Sequence, residues 1–299
     1  MYVVLGANGR AGSETAHALL EKGEAVRVVL RRQEQAEKWI RLGADVAIAS
    51  IEDTPSLVSA LRGASGAFVL SPPPVTGDPY VRAAEIGRAL GEAVRQSRVP
   101  RLVALSSIGA QHSTGTGIIA TLHRLERDLE ATAPSVTFLR PGYFVETWGE
   151  VAGAVVADGI LPSFLEPAKK IPMVSTVDVG RTAADLLSEG ASGRRVVELR
   201  GAQDWSANDV AAAFGTSLAR PVEVAFIAPE DRAAILAEDG VSPEVADALL
   251  GMYDGLASGR VAYEAGNERH HGSVPLAEAV ERIVRETVEK GGRLTAKAF

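Results

Sequence analysis

The sequence contains no cysteine, which excludes a disulfide framework, a thiolate nucleophile, a Cys-ligated zinc and a dithiol redox centre. Any chemistry therefore belongs to oxygen and nitrogen groups or to a cofactor. No apolar stretch is unbroken over the length a membrane crossing needs. Residues 1–5 run directly into Gly6, without the basic region, apolar segment and cleavage site of a secretion signal, so the expected location is the cytoplasm. A formal net charge of −7 offers no general attraction to nucleic acid or anionic lipid, and neither is expected as a partner. The adjacent His270 and His271 lack converging ligands: there is no His-Glu-x-x-His segment and no nearby carboxylate cluster, so no metal site is expected.

What is present is a long, apolar chain. At 299 residues and 46% hydrophobic, it can bury a large core and divide into a larger and a smaller domain. In the first 106 residues, short runs rich in Val, Leu and Ile at 1–5, 25–30, 45–49, 67–70 and 101–106 read as strands buried on both faces. Between them, 13–22, 33–42, 56–61 and 80–96 carry apolar residues at three- and four-residue spacing, with Gly23, Gly43 and Gly63 where helices stop. This repetition predicts right-handed βαβ units and a parallel sheet.

Further on, 122–132 reads as a helix and 136–139 as a strand broken by Pro141-Gly142. The periodicity then predicts a helix over 145–157, a loop over 162–172, a helix over 178–187 and a strand over 195–199. Helix, strand, helix and helix follow at 206–218, 222–227, 229–238 and 243–258, and the amphipathic 275–290 closes the chain. The expected fold is α/β, a Rossmann-like parallel sheet with a smaller mixed α/β domain facing the substrate. Residues 1–147 and 174–199 are assigned to the larger domain, and 148–173 and 200–299 to the smaller one with its C-terminal helix.

The chemistry is concentrated between the first strand and the first helix, at Gly6-Ala7-Asn8-Gly9-Arg10-Ala11-Gly12. Gly6 allows a tight turn, Gly9 lets backbone amides approach a phosphate, and Gly12 permits close helix–strand packing, so a pyrophosphate would rest on the helix N-terminus. The second strand ends in Arg31-Arg32 where an acidic residue would bind the ribose hydroxyls of NAD; a guanidinium there matches the 2′-phosphate of NADP. Arg31 is the first candidate, with Arg32, Lys38 and Arg10 as assistants. The expected cofactor is NADP(H).

The sequence resembles the NmrA-like, atypical short-chain dehydrogenase/reductase family, which includes NADPH-dependent quinone and azo reductases and redox-sensing regulators. The resemblance runs over nearly the whole chain. It rests on the glycine turn, Arg31, Ser106-Ser107-Ile108-Gly109, Leu139-Arg140-Pro141-Gly142-Tyr143-Phe144, Val177-Asp178-Val179-Gly180 and His271-Gly272-Ser273-Val274-Pro275. It implies that Ser71, Pro72 and Ser106 flank the nicotinamide ribose, that Pro141, Tyr143 and Phe144 pass beside the nicotinamide, and that His270-His271 lies near the substrate cleft or its rim. Where the family has an acid near the adenine, this chain has Ser50, a weaker polar contact; Asp53 reads as a helix cap.

The chain departs from the family in its acid–base groups. No tyrosine begins a Tyr-x-x-x-Lys pair, in which the lysine lowers the phenol pKa, and no lysine occurs between Lys38 and Lys169. His123 on the corresponding helix is the candidate proton donor, with an ordinary surface histidine as the alternative, and His112 in the 109–117 loop is a second candidate. Trp148, Phe164, Trp205 and Tyr253 are candidate walls for a flat, partly aromatic substrate. The expected activity is NADPH-dependent reduction of a quinone, azo compound or conjugated carbonyl by direct hydride transfer, since such acceptors need less help from a dedicated acid. Two alternatives stand beside it: a noncatalytic NADP(H) sensor acting on a protein partner, and an isomerase or lyase of an aromatic metabolite. A substrate-sized void beside the nicotinamide separates catalysis from sensing.

Overall fold

The computed structural model describes residues 1–190 and 192–296. Its strands are β1 (Tyr2–Leu5), β2 (Val26–Leu30), β3 (Asp45–Ile48), β4 (Gly66–Val69), β5 (Arg101–Leu105), β6 (Ser135–Pro141) and β7 (Tyr143–Phe144). They continue with β8 (Ile160–Ser163), β9 (Ile171–Val174), β10 (Gly193–Arg200), β11 (Asp204–Trp205), β12 (Glu223–Phe226) and β13 (Glu268–His271). Eight of them form one sheet in the order β13-β10-β6-β5-β4-β1-β2-β3, every neighbouring pair parallel. Its central strands are apolar because helices cover both faces. β1, β4 and β6 are buried along their whole length. The chain starts at β1, builds outward through β2 and β3, then returns to β4 on the other side. That reversal is the topological switch point at which Rossmann-like sheets bind ligands.

The helices are α1 (Arg10–Glu21), α2 (Ala36–Arg41), α3 (Thr54–Leu61), α4 (Pro79–Ser97), α5 (Ala120–Leu129) and α6 (Ala152–Asp158). The later ones are α7 (Thr176–Ser188), α8 (Ala207–Leu218), α9 (Pro229–Glu238), α10 (Pro243–Ser258) and α11 (Leu276–Ala296). Several starts are legible chemically. Asp78 caps α4 by accepting from the amides of Tyr80 (2.8 Å) and Val81 (3.1 Å), with Pro79 at the first helical position. Ser206 and Asp209 form a reciprocal capping box on α8. One apolar cluster joins α1 and α7 to one sheet face and a second joins α3, α4 and α5 to the other. A third, containing Trp148, Phe214 and Val280, lies in the smaller mixed part formed by α6, α8, α10, α11 and the two minor sheets, β11-β9-β7 and β12-β8.

Three sequence expectations are corrected. The segment expected as a loop over 162–172 begins and ends in strands: Pro162 sits in β8, paired only with β12, and Pro172 lies in the short β9. Proline is tolerated in such short or edge pairings, so it hid the strands without breaking them. The helix expected over 145–157 is divided into a 3₁₀ turn, Val145–Glu150, and α6. β13, with sequence Glu-Arg-His-His, carries no apolar run, yet it pairs with β10 as the sheet's edge strand. Being mostly exposed, it needs none. Asp53 occupies the N-cap position of α3 as expected, without a side-chain capping bond.

α1 crosses α7 at very short range. A Cβ on Gly180 would overlap the backbone and Cβ of Glu14, and the flanking Ala11, Ala18, Ala183 and Ala184 are all buried. Gly180→Ala should therefore cost about 1–3 kcal/mol through overpacking. Gly153→Ala, in the first turn of α6 where an added Cβ meets nothing within 4 Å, should stabilise by about 0.4–1 kcal/mol. Urea unfolding of both variants tests the pair, and equal effects would contradict the close crossing.

Candidate functional site

The switch point is occupied by the glycine turn. Gly6 has φ +70°, and a Cβ there would lie 2.8 Å from Leu70 Cδ2, so β1 turns against the end of β4 where only glycine fits. A Cβ on Gly12 would overlap the carbonyl oxygens of Gly6 and Leu5, which sets how closely α1 lies on β1. Gly9 is different. Its added Cβ would meet only Gly6 O, at 3.3 Å, so internal packing demands glycine there far less, and the open side of the turn is free for a ligand to approach. The Gly9 amide closes the turn onto Gly6 O at 2.8 Å. α1 has no side-chain cap and no acidic residue in its first turn. The amides of Arg10, Ala11 and Gly12 have no protein acceptor among the described residues. An uncapped helix start with free amides is an anion-binding geometry.

The turn is braced from behind. Fully buried Trp39 on α2 donates through Nε1 to Asn8 Oδ1 at 2.9 Å and packs against the His17 ring at 5.1 Å. The Asn8 side-chain oxygen is thus engaged by the protein. Arg10 donates to Glu150 Oε1 at 2.9 Å, linking the turn to the 3₁₀ segment after β7. Arg31 and Arg32 follow β2 directly, both exposed and without an ion-pair partner among the described residues. Two unneutralised guanidinium groups beside the free amides suit a cofactor bearing phosphates at both places. The residues present fit NADP(H).

The register of the parallel sheet brings the remaining candidates to the same edge. β1 through β6 all end there, followed by Gly6, Arg31, Ser50, Ser71-Pro72 and Ser106, with Pro141 closing β6. Ser50 is exposed, with its hydroxyl accepting from the Glu52 amide at 3.4 Å. Ser106 is buried, and its hydroxyl donates to Glu126 Oε1 at 2.6 Å, so its side chain supports the strand end from below. Tyr143 and Phe144 form β7, and the Tyr143 hydroxyl lies 3.3 Å from that of Tyr253 on α10. Burial pushes both phenols above the ordinary tyrosine pKa, so both stay neutral hydrogen-bonding groups. Tyr143 also meets Trp148 edge-on at 6.4 Å, and Tyr253 meets Phe164 edge-on at 5.3 Å. Trp148, Tyr253 and Phe164, three of the four expected aromatic walls, are thus linked to Tyr143 by ring contacts, and Trp205, on β11 of the same minor sheet, packs against the same apolar cluster.

Two cavities flank α5. Ser71 and Pro72 line one of about 210 Å³ together with Ile118, Leu122, Leu249 and Met252. His123 opens onto the other, about 310 Å³, with Glu126, Arg140, Arg194 and Glu264. The His123 Nδ1 is 2.8 Å from Ala110 O, which fixes the ring on that polar side. His123 and the Ser71-Pro72 segment therefore face different cavities. His270 and His271 stand on the edge strand, His270 Nε2 lying 2.8 Å from Glu268 Oε1. Among the described residues no group of three or more His, Asp or Glu side chains could hold a metal.

The residue that sequence reasoning missed is Glu126. Its carboxylate accepts from Arg140 Nε and Nη2, both at 2.7 Å, and from Ser106; Arg140 Nη1 also reaches Glu264 Oε2 at 2.9 Å. Arg140 and Glu126 side chains are only 4% and 5% exposed. An arginine within an otherwise buried strand requires a buried acid, and that requirement was the available signal. Burial favours the neutral Glu264 carboxyl, but bonds from Asn267 and Arg140 outweigh it and hold the group below its ordinary range. Arg140→Met should destabilise by about 3–5 kcal/mol because Glu126 is left buried without its main partner, whereas Arg140→Met with Glu126→Leu should recover most of the loss. Urea denaturation of the single and double variants decides this, and an additive double variant would count against the coupling.

Among curated proteins, an NAD(P)H azoreductase of Xenophilus azovorans is 25% identical over 255 residues, covering 85% of this chain and 86% of that protein. Quinone oxidoreductase 2 of Escherichia coli strain K12 is 24% identical over 290 residues, covering 95% and 98%. A crystal structure of the Escherichia coli NADPH-dependent quinone oxidoreductase complexed with NADPH shares the fold, with a TM-score of 0.77 and 23% identity over 95% of this chain and 99% of that one. Residues 2–260 match the profile of the NmrA-like family. With that match spanning the parallel sheet, the glycine turn and most of the smaller part, the chain belongs to the NmrA-like family.

Proposed function

We propose that the chain catalyses NADPH-dependent reduction of a quinone, azo compound or conjugated carbonyl. The observation that carries this reading is the uncapped start of α1 on the glycine turn, where three amides have no protein acceptor among the described residues. On this reading the turn residues Gly6, Asn8, Gly9, Arg10, Ala11 and Gly12 cradle the pyrophosphate, Asn8 acting through the backbone and its remaining amide nitrogen. Arg31, assisted by Arg32, takes the 2′-phosphate, and Ser50 lies toward the adenine. Ser71, Pro72 and Ser106 border the nicotinamide ribose, with Pro141, Tyr143 and Phe144 beside the ring. Bound there, NADPH supplies a hydride. Residues 1–147 and 174–199 form the cofactor part, and the remainder shapes the acceptor side.

The similarity to reductases of quinones and azo compounds supports this class of acceptor. So does the cavity beside Ser71 and Pro72, since a protein serving only as a sensor has no need for an acceptor-sized void there. The residues' part is to orient the acceptor, and the single proton needed to complete a two-electron reduction comes from solvent.

The purified chain should consume NADPH in the presence of a naphthoquinone without added metal, followed by loss of reduced-nicotinamide absorbance. Tight NADPH binding without consumption across quinones, azo compounds and conjugated carbonyls would favour the sensor instead. Arg31→Ala should weaken NADPH by about 1–3 kcal/mol and NADH little, through loss of a charged hydrogen bond. Equal losses in calorimetry would remove Arg31 from the 2′-phosphate. His123→Asn, whose amide nitrogen lies where Nδ1 does and can still donate to Ala110 O, should leave turnover and its pH profile unchanged. A fall in turnover with a lost inflection near the histidine pKa would restore His123 as the donor.

A further inference from the structure

The cavity beside Ser71 and Pro72 has a chemical character that the reductase reading does not itself require. It lies between the loop after β4, the start of α4, the 3₁₀ turn Gly117–Ile119 with the start of α5, and α10. Two bonds hold these pieces together: the Ser242 amide donates to Val75 O at 3.0 Å, and the Tyr80 hydroxyl donates to Gly117 O at 3.3 Å. The loop contributes three successive prolines, Pro72, Pro73 and Pro74, with no backbone N–H to offer a ligand. α10 contributes Leu249 and Met252, one turn apart on the same face. Among the described residues no charged side chain lines the cavity. Its side-chain hydroxyls are those of Ser71 and Thr121, and Thr121 Oγ1 is turned onto Ile118 O at 2.6 Å.

Location ties this cavity to the cofactor turn. Ser71 directly follows Leu70, the side chain against which Gly6 turns. Size limits what can enter: about 210 Å³ exceeds the roughly 150 Å³ of an apolar cavity that holds benzene and falls below the roughly 300–1,000 Å³ of sites for drug-sized ligands. Polarity limits it further, because a sulfonate or carboxylate seated against these half-buried apolar walls would lose part of its water and gain neither a cation nor a set of donors.

We propose that this cavity receives the acceptor and selects compact, uncharged one- or two-ring compounds over anionic ones, with Leu249 and Met252 as its specificity-determining side chains. The inference rests on the reductase reading above. It separates this chain's preference from that of an enzyme built for sulfonated dyes, whose pocket must place cations or donors against the anionic group.

The test compares methylnaphthoquinone with a naphthoquinone sulfonate, using the full chain with NADPH for turnover and with NADP⁺ for calorimetric binding. The sulfonate withdraws electrons and makes the ring easier to reduce, so slower turnover would report exclusion and not weaker reactivity. The uncharged quinone should be favoured by about tenfold or more in kcat/KM and in binding, as expected for a partly desolvated charge without a partner. Met252→Lys should narrow that ratio toward unity, by lowering KM for the sulfonate. Leu249→Trp should fill the cavity and raise KM for the uncharged quinone. Thermal unfolding and NADPH affinity of both variants establish that they fold. Equal turnover of the two quinones by the wild type, or an unchanged ratio in folded Met252→Lys, would overturn the inference and leave the reductase reading standing. An uncharged quinone that binds, is displaced by Leu249→Trp and is not reduced would uphold the cavity assignment and overturn the reductase reading alone.

Discussion

The buried pair of Arg140 and Glu126 organises the region around the candidate site. It fastens α5 to β6 with two short bonds, holds the end of β5 through Ser106, and reaches Glu264 near the edge strand. Buried pairs of this kind gain little over an apolar replacement, but they do not tolerate loss of one partner, and so they fix geometry more than they add stability. Here the fixed quantity is the rotation of α5. His123, Glu126 and Arg127 recur at three- and four-residue spacing and face the polar cavity, while Thr121 and Leu122 line the apolar one. The pair thereby keeps charge on one side of the helix and an uncharged pocket on the other.

A similar economy applies to the family motifs, several of which meet each other in space. Asp178 of Val177-Asp178-Val179-Gly180 accepts from the amides of Ser273 and Val274 at 3.1 and 3.0 Å, tying α7 to the segment that leads into α11. A Cβ on the adjoining Gly272 would overlap that carboxylate. Glu146, on the 3₁₀ turn after β7, accepts from the Ser175 hydroxyl at 2.6 Å and the Thr176 amide at 2.9 Å, at the start of the same helix. Burial raises its pKa, although those bonds oppose the shift. α7 is thus the strut that carries both the C-terminal helix and the turn after β7, and its contact with α1 at Gly180 transmits that placement to the glycine turn.

The sequence disclosed the parts of the molecule governed by local or strictly periodic physics. The valine-rich strands, the helix stops at glycine and the glycine turn are of this kind, because burial on two faces and backbone conformation leave direct marks on residue choice. Less legible was structure decided by partners distant along the chain. β13 is a strand through pairing with β10, not through its Glu-Arg-His-His composition. Ser106 could be named as a strand-end residue, but not as a hydroxyl bound to Glu126, twenty positions later. His123 was singled out for its pKa range; which cavity it faces depends on how α5 is rotated by Arg140. The apolar pocket was invisible for the same reason, since its walls come from the loop after β4, the start of α5 and α10.

These features bear on the chemistry left open by the missing Tyr-x-x-x-Lys pair. A lysine cation near a tyrosine lowers the phenol pKa and makes it a competent acid toward an ordinary ketone. Tyr143 and Tyr253 experience the reverse, with burial foremost and Glu150 adding to the upward shift of each, while the contribution of Arg10 to Tyr143 is the smaller opposing one. A phenol so placed can donate a hydrogen bond but gives up its proton reluctantly. On the proposed reductase reading, the acceptor must therefore stabilise the incoming electron pair largely within its own conjugated system, and take its proton afterward from water. A quinone does so and a simple ketone does not, so the raised tyrosine pKa values fit a conjugated acceptor, while the uncharged pocket bears on a separate property, the absence of an anionic group.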